Sequence, residues 1–171
     1  MRRLLRSAAG FTFSEMLVAL LILSLSLAVV AGGLPAAQSS YFRVLDSANA
    51  QMLLSTTVSR LRDELAMASR IVAQGQSITY RSGSTGSTSA IRSDGGGILL
   101  AEYLDLSAPP EPSLLVPQKA ATSRLHAAFT AATYDAKERV VTISGLVVRN
   151  LDGEELASLP ELQIRVIGAR H

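Results

Sequence analysis

The chain has 171 residues, 48% of them apolar and 18% charged. That suits one compact domain and excludes a charge-rich disordered tail. Cysteine is absent and only His126 and His171 occur as histidines, which excludes a disulfide framework, a thiolate metal site, a cysteine nucleophile and a His-rich metal site. The formal charge of +2 belongs to the N-terminus: without Arg2, Arg3 and Arg6, 13 basic residues face 14 acidic ones. No basic surface remains to argue for nucleic-acid binding.

The first element is apolar. After Glu15 there is no charge until Arg43, so Met16–Phe42 is a run of 27 uncharged residues. Phe11–Leu34 is 24 residues, which as a helix spans roughly 36 Å, enough to cross a bilayer with some tilt. The three arginines lie on one side, placing Met1–Gly10 in the cytoplasm and the C-terminal part outside. A secretory signal peptide is one alternative to a plain anchor. Arg2, Arg3 and Arg6 would be its n-region, Leu17–Val30 its h-region, and Val29-Val30-Ala31 before Gly32 its cleavage site. Glu15 argues against it, because an acid at the entry of the h-region gains nothing for export.

That acid is instead a functional pointer, since a carboxylate at the membrane is costly alone. Its own helix offers no cation nearby, and Arg6 is nine positions back, across Gly10. A cut between Gly10 and Phe11 would create an ammonium four residues before Glu15, on the same chain or on a neighbouring copy.

Gly10-Phe11-Thr12-Phe13-Ser14-Glu15-Met16-Leu17 closely resembles the class III signal of type IV prepilins and type II secretion pseudopilins: a short basic leader, Gly, then Phe-Thr-Leu-Ile-Glu and an apolar run. Phe13 and Ser14 depart from the pattern. The resemblance covers roughly the first 30 residues. It implies that a prepilin peptidase cuts after Gly10, that Phe11 becomes the N-methylated mature N-terminus, and that Glu15 neutralises the amine of a neighbouring subunit during assembly. Opposite charges meeting in a low-dielectric setting attract strongly, and each is costly alone. Plain interfacial anchoring would account for Phe11 and Phe13 without a filament. Gly32, Gly33 and Pro35 are expected to interrupt the helix, either as an ordinary kink or as the unwinding segment that the resemblance implies.

Beyond the membrane, Ala36–Val72 reads as continued helix ending at Gln74-Gly75. Leu54, Val58, Leu61, Leu65, Ala68 and Val72 recur at helical spacing, extended upstream by Tyr41, Leu45, Ala48 and Met52. The stripe is read as a surface that packs on a sheet. Arg60, Arg62, Asp63, Glu64 and Arg70 form the opposite, solvated face, with Arg60 and Glu64 as an i, i+4 pair.

After Gly75 the chain reads as β-rich. Gln76–Arg81 alternates as a strand does. Ser82–Gly97 is Ser-, Gly- and Thr-rich, a loop or hairpin with one short strand near Ser89–Arg92. Asp94 before three glycines lacks the further carboxylates of a calcium loop and reads as a turn. Ile98–Leu106 is strand-like, and Pro109, Pro110, Pro112 and Pro117 enforce an extended loop. Arg124–Thr133 is Ala-rich and could be helix or strand; strand is favoured. A turn at Tyr134–Glu138 precedes the strand Arg139–Arg149, Asn150–Gly153 signals a hairpin, and Glu155–Ile167 returns with a break at Pro160.

The sum is α+β: a long N-terminal helix, membrane-spanning in its first half and amphipathic in its second, packed on a C-terminal antiparallel sheet. The predicted parts are a cleaved leader 1–10, a hydrophobic helix 11–35, an amphipathic helix 36–74 and a β-rich part 75–171. No GxSxG, phosphate loop or partnered His126 stands in the chain, so an enzyme is not expected and no cofactor or metal is implied. The resemblance points to a minor pilin or pseudopilin of a pilus, type II secretion or DNA-uptake machine. Its partners would be prepilin peptidase, other subunits, an inner-membrane assembly platform and the lipid bilayer, and it would pass from the inner membrane to a filament. The alternative is a secreted or membrane-anchored extracytoplasmic binding domain.

Overall fold

The structure, a computed structural model, describes residues 12–103, 111–119 and 122–168. Among the described residues there are one helix, α1 (Phe13–Ala66), and nine strands: β1 (Ser69–Gln74), β2 (Ser77–Arg81), β3 (Thr88–Asp94), β4 (Gly97–Tyr103), β5 (Ser113–Leu114), β6 (Leu125–Ala128), β7 (Ala131–Asp135), β8 (Val140–Asn150) and β9 (Glu155–Arg165). This is the expected α+β class. The chain divides into two compact units within α1, after Val44.

In the first unit Gly32, Gly33 and Pro35 fall inside α1 rather than interrupting it. A proline removes a single backbone hydrogen bond, and a Cβ at either glycine would meet nothing within 4 Å.

In the second unit, α1 contributes Ala50, Leu53, Leu54, Leu61 and Leu65 to a buried cluster together with residues from both sheets. The stripe upstream is different from the expectation: Leu45 and Met52 stay exposed, and Ala50 and Leu53 take the buried face instead. Glu64 is not committed to Arg60. It accepts a 3.0 Å hydrogen bond from the Tyr80 hydroxyl on β2.

The helix ends eight residues earlier than its periodicity predicts, because tertiary partners take its last carbonyl. Ala66 O accepts from the amides of both Ile167 and Gly168. Ser69–Gln74, read as helix from the spacing, is the first strand, paired antiparallel with β2. Val72 points outward there, and Ile71 and Ala73 pack against the core.

The first sheet is an antiparallel meander in the order β1-β2-β3-β4-β5. The short strand expected near Ser89–Arg92 is β3, seven residues long. Asp94 makes the expected turn, its Oδ1 accepting from Gly96 N at 2.8 Å. Pro109 and Pro110, and the end of the predicted strand at Leu104–Leu106, lie outside the described residues.

The second sheet is built on β8. β9 pairs along one edge of it, and β6 and β7 pair end to end along the other. β6 and β7 share one register on β8, so the Ala-rich segment is a single strand interrupted at Phe129-Thr130. Opposite the interruption stands Gly145, with φ of 66°, and opposite Gly145, on the same register, stands Pro160. Burial changes phase at this row. Val141 and Ile143 face inward before it and Leu146 and Val148 after it. A one-residue shift turns every following side chain to the other face unless the backbone absorbs it. Pro160 therefore does not break the strand as expected: β9 runs continuously from Glu155 to Arg165, and the row at Pro160 changes only which face its side chains take.

Candidate functional site

Thr12 begins the described chain and α1 starts one residue later. The first four amides of a helix lack intrahelical partners. Here Thr12 acts as N-cap: its Oγ1 accepts from Glu15 N at 3.3 Å. Glu15 returns the bond, Oε2 accepting from Thr12 N at 3.0 Å and from Thr12 Oγ1 at 3.1 Å. This is a reciprocal capping box. The Thr-x-x-Glu spacing is legible in the sequence as a capping-box signature, and the partner of Glu15 in the structure is this local one rather than a cation.

An apolar stretch follows the cap. Every large apolar side chain from Phe13 to Leu34 is between 52% and 78% exposed. The helix is long and apolar enough to cross a membrane. Its hydroxyls suit that setting, since Ser24 Oγ donates to Leu21 O at 2.9 Å and Ser26 Oγ to Ile22 O at 2.8 Å. Polar groups satisfied on their own backbone cost little in hydrocarbon. Glu15, although bonded to Thr12, differs in being a carboxylate rather than a hydroxyl. It lines a shallow depression with Ser14, Val18, Ala19 and Ile22, one carboxylate on an apolar helix face.

The remaining predicted site residues divide plainly. Arg2, Arg3, Arg6, Gly10 and Phe11 lie outside the described residues. Gly32, Gly33 and Pro35 continue the helix. His126, half-buried on β6, lines a small cavity with Thr57 and Leu125.

No curated protein and no solved structure matches the chain. A family model does match, over the segment that contains this cap and most of the apolar run. Proteins with that motif are in general structural rather than enzymatic, and together with the apolar helix it points to membrane anchoring. Residues 5–31 match the prokaryotic N-terminal methylation motif, so the chain carries the signal of type IV pilins and pseudopilins, precursors processed by prepilin peptidase.

Proposed function

We propose that the protein is a minor pilin or pseudopilin, a structural subunit of a type IV pilus-like filament or of a type II secretion or DNA-uptake pseudopilus. In this reading prepilin peptidase cuts after Gly10 and Phe11 is N-methylated. The subunit waits in the inner membrane, C-terminal part outward, and joins a filament on an assembly platform through α1. The observation that carries the reading is the methylation motif running directly into an exposed apolar helix that bears a single carboxylate. A lone carboxylate in lipid is costly, and an amine from a neighbouring subunit relieves that cost.

The test is the N-terminal peptide of the native protein, read by mass spectrometry from membrane and sheared-surface fractions. The expected peptide begins at Phe11 and carries one added methyl in both fractions. A peptide beginning at Gly32 would mean ordinary secretion, and one beginning at Met1 an uncleaved anchor. Either overturns the proposal.

A further inference from the structure

A cavity of about 650 Å³ opens beside the C-terminal end of α1, bounded by the β2–β3 loop and the residue Gly168 that follows β9. Its lining includes Met67, Arg70, Arg81, Ser82, Gly83 and Gly168. Among the described lining residues there are two guanidinium groups and no carboxylate. The volume falls within the range of small-molecule sites and exceeds what a lone ion needs.

The walls are held by specific contacts. Arg81 Nε donates to Gly86 O at 2.9 Å, fixing the guanidinium on the loop. Arg139 donates through Nη2 to Gly168 O, so a third guanidinium braces the opposite wall. A Cβ at Gly83 would stand 2.2 Å from Met67 O, and one at Gly168 would stand 2.3 Å from Ala68 O. Only glycine permits that approach to the end of the helix.

The backbone is also unusual here, at the register irregularity of β1 between Ser69 and Val72 and in the turn before β8. Among the described residues, the non-glycine positions with positive φ are Arg70 at 51° and Arg139 at 57°. Both belong to this cavity or its brace. Such a backbone persists where the surroundings demand it, as a bulge, a turn or a ligand site does.

We propose that this cavity binds a small anionic molecule, gripping its phosphate or carboxylate group between Arg70 and Arg81. Guanidinium forks match both oxyanions, and charge-assisted bonds of this kind are stronger than neutral ones. The site is separate from the N-terminal signal and does not depend on filament assembly.

The test is isothermal titration of the full-length, detergent-solubilised protein with inorganic phosphate and with citrate, at fixed ionic strength. Saturable binding is expected for one or both. Phosphate alone assigns a phosphoryl ligand and citrate alone a carboxylate. Arg81→Gln and Arg70→Gly should each weaken binding by roughly tenfold or more. Glycine adopts the Arg70 backbone without strain, so Arg70→Gly should lose affinity while unfolding at no lower temperature. Absence of saturable binding by both probes, or undiminished affinity in either variant, overturns the assignment.

Discussion

Glu15 Oε2 accepts two hydrogen bonds from Thr12, 3.0 Å from its amide and 3.1 Å from its hydroxyl. The carboxylate proposed to meet a neighbour's amine thus already closes the first turn of its own helix. The two tasks separate chemically, because glutamine also completes a capping box but carries no charge. Glu15→Gln and Glu15→Val should both be cleaved, and both should fall roughly tenfold or more in sheared filaments, as loss of a charge pair in a dry setting demands. Thr12→Ala, which loses the cap hydroxyl but keeps the charge, should fall less. Wild-type incorporation of Glu15→Gln would assign the carboxylate to the cap alone.

Gly10 is expected to matter before assembly. Gly10→Val should leave the full-length precursor in the membrane with Met1 or its processed equivalent at the N-terminus. Intact mass of the membrane fraction checks this, and a normally trimmed product would contradict cleavage after Gly10.

Tyr80 and Glu64 join β2 to α1 and carry a pH dependence. Burial, and then the Glu64 carboxylate beside it, push the Tyr80 phenol well above its ordinary value. The unfolded phenol ionises near pH 10, so above that point the unfolded state loses its proton first. The stabilising contribution is therefore complete below about pH 10 and is lost as pH rises further. Tyr80→Phe should destabilise the globular unit by about 1.5–3 kcal/mol at neutral pH, the cost of a lost bond to a charged group. It should also flatten the alkaline loss. Urea unfolding of the solubilised protein, followed by near-ultraviolet circular dichroism at about pH 8 and about pH 10.5, measures both effects. An alkaline slope unchanged in Tyr80→Phe would remove Tyr80 as its source.

Gly145 sits at the crossing of three strands with φ of 66°, and a Cβ there would stand 2.5 Å from Thr130 Oγ1. Gly145→Ala should cost about 1–3 kcal/mol through backbone strain, with the Thr130 collision added. Gly153 shares the positive φ, at 83°, but a Cβ there meets nothing within 4 Å. Gly153→Ala should cost about 1 kcal/mol. Equal unfolding midpoints for the two variants would show that the crossing row is not what constrains Gly145.

Much of the fold was legible because its signals are local. Val140, Ile143, Leu146 and Val148 mark the segment as β; the last three are buried on β8, while Val140 is half-buried and Val141 takes the inward place. Asn150 caps its own hairpin through Oδ1, which accepts from Asp152 N and Glu154 N. Ser69–Gln74 was not legible, since Leu65, Ala68 and Val72 continue the helical spacing past the true end. What stops the helix at Ala66 is a pair of amides about a hundred residues away, at Ile167 and Gly168.

The sequence by itself determined the N-terminal character of this protein. Arg2, Arg3 and Arg6 ahead of Gly10-Phe11, a Thr-x-x-Glu cap and 27 uncharged residues act through charge, length and nearest-neighbour hydrogen bonding, none of which needs a fold. Tertiary structure decided the rest: where α1 ends, that Glu64 serves Tyr80 instead of Arg60, that Thr130, Gly145 and Pro160 share a row, and that Arg70 and Arg81 line one cavity. Those relationships join residues far apart in the chain, and composition and periodicity carry no term for which distant strand or loop packs against which.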